Sequence, residues 1–156
     1  MAEYSANAVQ ELAPGASAVF TTTVVPCDLG LIQHADGTPF FSLSGLNMPY
    51  RRYCPCQNRH AEYYVQFGAN IALATGSTVG EISVSIAVDG IADPGSTMRV
   101  TPAAVEEYFN VSRGKTIAIF NNCCQTVTVT NTSDQTILMQ EANLILRLTR
   151  PDPETL

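Results

Sequence analysis

Between Thr116 and Thr149 the chain reads TIAIFNNCCQTVTVTNTSDQTILMQEANLILRLT, and its bulky apolar residues recur at every second position. The successive sets are Ile117 and Ile119, Val127 and Val129, Ile137 and Met139, then Leu144, Leu146 and Leu148. A spacing of two belongs to extended strands whose alternate side chains enter a core. Asn121-Asn122 and Asn131-Thr132-Ser133-Asp134 separate the sets, and short polar side chains of this kind bond their own backbone and favour turns. The pattern predicts four strands joined by tight turns into one antiparallel wall. A wall that is apolar on one side needs a second sheet over it, which the rest of the chain must supply.

The earlier two thirds carry the same period. Ser17 to Val25, SAVFTTTVV, is rich in β-branched residues and lies between Pro14-Gly15 and Pro26, so it reads as the first strand. Leu31 to His34 and Phe40 to Leu43 flank Asp36-Gly37 and read as a hairpin. Tyr63 to Leu73, YYVQFGANIAL, is the longest alternating run and is expected to be a central strand. Glu81 to Val88 alternates again, Asp89-Gly90 and Pro94-Gly95 mark turns, and Thr97 to Thr101 is a short strand. Pro102 to Gly114 is expected to mix turn and strand, and the adjacent Glu106 and Glu107 to be solvated and not an acid/base pair. The sum is about eight to ten antiparallel strands with almost no helix, an all-β sandwich or jelly roll. Residues 1–13 show no sustained period and are expected to form an N-terminal arm, with Val9, Gln10 and Leu12 as its anchoring residues. Residues 14–150 form the jelly-roll domain and residues 151–156 a C-terminal tail.

Composition narrows the function. The net charge of −6 opposes a face that tracks phosphates, so no nucleic-acid partner is expected. No apolar run reaches the roughly 20 residues of a spanning helix, and no signal-peptide pattern opens the chain, so neither membrane insertion nor export by that route is expected. Charged residues make up only 14%, against 46% hydrophobic, which leaves Thr, Ser, Asn and Gln to cover the strands and suits burial against another subunit. Arg51, Arg52 and Arg59 form the one local basic cluster; they lie in Gly45 to Arg59, an irregular stretch expected to be a long recognition loop.

Reactive groups are sparse. His34 stands near Asp36, but no Gly-x-Ser-x-Gly elbow accompanies them, and hairpin polarity accounts for both. With His34 and His60 as its only histidines, the chain lacks the clustered ligands of a cupin-like metal enzyme. Cys27, Cys54, Cys56, Cys123 and Cys124 are odd in number and lack paired Cys-x-x-Cys spacing, so they are expected to be reduced and buried, with no zinc. No cofactor and no enzymatic activity are expected.

Taken in order, NAVQELAPGASAVF, FFSLSG, YYVQFGANIAL, ISVSIAVDGIADPGS and CCQTVTVTNTSDQTILMQEANLILRL resemble the trimeric jelly-roll modules of the tumour necrosis factor and complement globular-head superfamily. The similarity extends to the short bacterial and phage versions, including the C-terminal domain of a collagen-like spore-surface glycoprotein. It spans Asn7 to Leu148 and rests on turn and strand chemistry, with no catalytic residue to carry over. The resemblance implies a jelly-roll homotrimer. No Gly-x-y repeat stands among these residues, so a stalked spore filament is not expected. The expected role is therefore a structural virion protein of a tailed phage, a capsid decoration protein or a head or tail fibre knob. It would be made in the host cytoplasm, be held through its arm, and have phage capsid or fibre proteins as partners. The alternative is a spore-coat or cell-surface module that binds host-surface glycans through the Gly45 to Arg59 loop.

Overall fold

The computed structural model describes residues 1–27, 30–45, 60–120 and 124–149. Within them the chain forms twelve strands: β1 (Ala2–Ala6), β2 (Gln10–Leu12), β3 (Thr22–Val25), β4 (Ile32–His34), β5 (Phe41–Ser44), β6 (His60–Leu73), β7 (Ile82–Val88), β8 (Ile91–Ala92), β9 (Met98–Val100), β10 (Phe109–Phe120), β11 (Cys124–Asn131) and β12 (Ile137–Thr149). They pair into two antiparallel sheets, one ordered β10-β6-β12-β1-β3 with β2 beside β12, the other β4-β5-β11-β7-β8 with β9 beside β7. The expected all-β jelly-roll sandwich is the observed architecture.

The core is the interleaving of the two inner faces. Tyr63, Val65, Phe67, Ala69 and Ile71 of β6 point inward with Leu144 and Leu146 of β12, and meet Phe41 and Leu43 of β5, Ile82, Val84 and Ile86 of β7, and Val127 and Val129 of β11. As expected, β6 is central: it pairs with β10 on one side and β12 on the other. Its Tyr63 reaches across the core, where the hydroxyl donates to the Ser44 carbonyl oxygen at 2.5 Å. Burial, reinforced by the nearby Cys27 and Cys124 thiols, pushes that hydroxyl up to about 12, so it stays a neutral donor at physiological pH.

Two expectations are corrected. The last third is not one wall: β10 and β12 lie in the first sheet, while β11 between them lies in the second, paired with β5 and β7. The polar segment around residue 132 therefore crosses the sandwich instead of closing a hairpin, while Asn121 and Asn122 lie outside the described residues. Asn131 shows how this crossing is held. Its side chain is 1% exposed, its Nδ2 donates to the Leu12 and Gln135 carbonyls, and its Oδ1 accepts from the Ser133 N–H. A buried amide so fully bonded carries little penalty and fixes the turn. Ile137 to Leu148, read as two strands, is one strand broken by a bulge between Gln140 and Asn143, where Glu141 has φ 52°. One extra residue moves the inward set from Ile137 and Met139 to Ala142, Leu144 and Leu146.

The second correction concerns residues 1–13, which are not an arm. Strand β1 pairs with β12 on one side and β3 on the other, with Ala2, Tyr4 and Ala6 buried. Strand β2 continues along β12 beyond the bulge, pairing Leu12 with Ile137. The sandwich thus starts at Ala2 and not near residue 14. Ser17 to Val25 is a strand only from Thr22, since Ser17 and Phe20 make isolated bridges to Thr130 and Thr38. The Leu31 to Leu43 hairpin forms as expected, pairing Ile32 with Leu43 and His34 with Phe41. Glu106 and Glu107 are solvated as expected, in the turn before β10.

Candidate functional site

Strand pairing lays the outward residues of the first sheet in rows. Thr116 of β10 lies beside Tyr64 of β6 and Arg147 of β12. The next row runs Gly114, Gln66, Ile145, Glu3 and Val25; the one after it runs Ser112, Gly68, Asn143, Ser5 and Thr22. Ala118, Glu62 and Thr149 form the row on the other side of Tyr64, while Asn110, Asn70 and Gln140 close the far end. Across these rows the charged residues are Glu3, Glu62 and Arg147. Solvated sheet faces usually rely on charge, whereas the centres of protein interfaces are depleted in it and enriched in Tyr.

Small residues flatten the face, and one of them is required. A Cβ on Gly114 would fall 2.0 Å from the Tyr64 hydroxyl oxygen and 2.7 Å from its Cζ, because the tyrosine ring lies over the glycine. So placed, Tyr64 borders an open depression of about 770 Å³ with Thr116, Arg147, Leu148 and Thr149. Several polar groups elsewhere on the face are tied to one another. Asn143 Nδ2 donates to Glu3 Oε1 at 2.8 Å, Asn110 Nδ2 to Asn70 Oδ1 at 3.0 Å, and Asn70 Nδ2 to Glu141 Oε2 at 2.8 Å.

At the β10 edge, residues of core parity turn charged. Arg113 is exposed, and the Lys115 ammonium donates to Asp93, which also caps the short 3₁₀ turn Pro94–Ser96 by accepting from the Gly95 N–H. Charge on the inward side of an edge strand discourages further strands from adding there. The hydrogen bond from Lys115 holds the Asp93 carboxyl below the usual carboxylate range; partial burial opposes it, and the Gly95 N–H and the ammonium charge add to it.

The residues singled out from sequence fall elsewhere. Leu12 is in the core. Gln10 is bound within the sandwich: its Nε2 donates to the Val19 carbonyl at 3.1 Å and its Oε1 accepts from the Val19 N–H at 2.8 Å. Val9, 55% exposed, is the member of that trio left at the surface. Arg51, Arg52 and Arg59, with Cys54, Cys56 and Cys123, lie outside the described residues. Cys124 is exposed, contrary to the expected burial, and Cys27 packs partly buried against the core.

His34 is a packing group. Its ring stacks on Phe41 at 4.1 Å, meets Tyr4 edge-on at 4.9 Å, and points Nδ1 at the Phe40 carbonyl and Nε2 at the Phe20 carbonyl. Thr23 Oγ1 donates to Asp36 Oδ1 at 2.8 Å and is not bonded to the imidazole, so the three groups do not stand in the order of a nucleophile, base and orienting acid. Among the described residues no three His, Cys, Asp or Glu side chains gather as a metal site, and no helix is long and apolar enough to cross a membrane.

The fold has solved counterparts. The globular domain of the zebrafish complement 1qA protein superposes with a TM-score of 0.59 and 12% identity, covering 97% of this chain and 98% of that one. A sugar-binding protein, the EclA C-terminal domain, gives 0.38 with 15% identity over 91% of this chain and 79% of its own. No protein-family model matches the sequence, and no curated protein matches it. The chain is thus a two-sheet jelly-roll sandwich whose fold is similar to that of the complement 1qA globular domain. The resemblance carried by the strand and turn sequences is confirmed at the level of fold.

Proposed function

We propose that the chain is a non-enzymatic structural module that works as a homotrimer, with the outward face of the β10-β6-β12-β1-β3 sheet in the subunit contact. The observation that carries this reading is the composition of that face: central rows of Gly, Ser, Ala, Thr and amide side chains around Tyr64, with three charged residues along them. Five strands about 4.8 Å apart, from 4 residues in β3 to 14 in β6 and averaging roughly ten residues of about 3.3 Å, make a patch of about 600 Å². That falls short of the ~800 Å² per partner of a stable two-body interface. A cyclic arrangement, in which each copy meets two neighbours through different patches, removes the shortfall.

The working place we propose is the surface of a tailed phage particle, as a capsid decoration protein or fibre knob. The motivation is the resemblance of the sequence to such modules. With residues 1–12 built into the sandwich, attachment to the particle falls to an outer surface, where Val9 is exposed. Sedimentation equilibrium should give three times the 16.8 kDa chain mass. Antibody-gold labelling of source particles should mark knobs on shell or fibres. A single-copy species at micromolar concentration would refute the trimer, and unlabelled particles would refute the virion role.

A further inference from the structure

Arg147 is the one cation along the outward rows of the first sheet, and among the described residues no carboxylate lies within ion-pair distance of it. In the separated chain this needs no explanation, because an exposed guanidinium is well hydrated. In the proposed trimer, on which the assignment of this site rests, the same group is taken out of water. An unpaired charge buried at an interface is strongly unfavourable, so assembly has to bring an anion to it.

The face's own carboxylates are poorly placed to serve. Glu3 already accepts from Asn143, Glu141 accepts from Asn70, and Glu62, one row along from Arg147, is engaged in an interaction of its own. Shape points the same way. Interfaces pack at interior density, and a depression of about 770 Å³ left empty at the contact would forfeit that packing, so assembly has to fill it. Among the described residues, the polar side chains lining it are the Arg147 guanidinium, the Thr116 and Thr149 hydroxyls and the Tyr64 phenol, all able to donate hydrogen bonds, with no carboxylate among them. A guanidinium fork flanked by hydroxyl donors is complementary to an oxyanion.

We propose that this depression is an oxyanion site, taking a carboxylate, sulfate or phosphate group, and that its occupancy is coupled to assembly of the trimer. By linkage, an anion that binds the assembled form more tightly strengthens assembly, and assembly strengthens anion binding.

The test uses the full chain at fixed ionic strength in chloride, to which inorganic sulfate, inorganic phosphate or acetate is added at millimolar concentration. Sedimentation velocity reads the assembly constant. Sulfate and phosphate also favour compact states without a site, so the decisive quantity is the difference between the wild type and Arg147→Met. The expected result is at least tenfold tighter assembly of the wild type with one of the oxyanions. Arg147→Met should respond no more than to chloride and should assemble without the anion as well as the wild type does with it. Arg147→Lys, which keeps charge but loses the fork, should respond weakly. Preference for acetate identifies a carboxylate site, and preference for sulfate or phosphate a tetrahedral one. Equal responses of wild type and Arg147→Met, or tight wild-type assembly indifferent to all three anions, would overturn the site while leaving the trimer standing. A chain that remains single-copy in every buffer would overturn both.

Discussion

Gly114 and Tyr64 make a pair in which one residue is defined by the other. The backbone at Gly114 is ordinary extended strand, so alanine is excluded only by the tyrosine ring that covers it. Gly114→Ala recovers about 0.5–1 kcal/mol of backbone entropy while forcing the ring aside, so the folded chain should change stability by less than about 1 kcal/mol. Assembly should weaken, because Tyr64 then leaves the wall of the depression; thermal unfolding and sedimentation on the same sample separate the two effects. Asp93 supports a second prediction. Its carboxyl titrates in the folded chain below its ordinary value of 3.8, so the contact with Lys115 contributes stability above that pH and is lost as pH falls through the folded value. The wild type should therefore lose stability below about pH 4 more steeply than Asp93→Asn, which keeps the acceptor for Gly95 but has no proton to take up. Melting temperatures across pH 2 to 6 would show the two slopes, and identical slopes would rule the contact out as a contributor.

Among the elements, those with strong hydrophobic contrast are legible in sequence. Strands β6 and β7 and the β4-β5 hairpin alternate large apolar residues with polar ones or end in an Asp-Gly turn, and they form where that pattern places them. Strand β1 escapes because two of its three buried side chains are alanines, Ala2 and Ala6, which stand out little from Glu3 and Ser5. The single wall fails because a period of two states which side of a strand faces the core and not which sheet the strand joins. The β12 bulge leaves a visible trace, the change from odd to even positions between Met139 and Leu144. What sequence does not reveal is that the break is one residue in a continuous strand, with Glu141 held by its N–H on the Asn7 carbonyl and by Asn70 on its carboxylate. Deleting Glu141 leaves Met139, Gln140, Ala142, Asn143 and Leu144 in unbroken alternation with Leu144 and Leu146 still inward, so the variant should keep cooperative unfolding by circular dichroism, and its loss would show that the bulge itself is needed. Glu141→Gly relieves about 1 kcal/mol of left-handed backbone strain and loses an exposed hydrogen bond of similar size, so it should stay within about 1 kcal/mol of the wild type.

For the whole molecule, the two sheets divide the labour. The second sheet closes the core and ties some of its hydroxyls to neighbouring ones, as in the Ser83–Thr132 and Ser85–Thr97 contacts at 2.9 Å. The first sheet presents the face with few charges, and the candidate site lies there because β10, β6 and β12 bring Thr116, Tyr64 and Arg147 into one row. Sequence hints at that face only through low charge, since the row exists only once register is fixed. Gln66 stands in the middle of it, exposed on the central strand with Gly114 and Ile145 as neighbours. Gln66→Lys adds a charge where no described acid lies directly beside it, and an outward substitution of this kind alters the stability of an isolated domain by no more than about 0.5 kcal/mol. If the face is the subunit contact, the variant should keep the wild-type circular dichroism spectrum and sediment as single chains, because each assembled copy would bury an unpaired ammonium. A Gln66→Lys protein that sediments as the wild-type trimer would move the contact to another surface, with the edge strands β3 and β4 next to be probed by the same substitution.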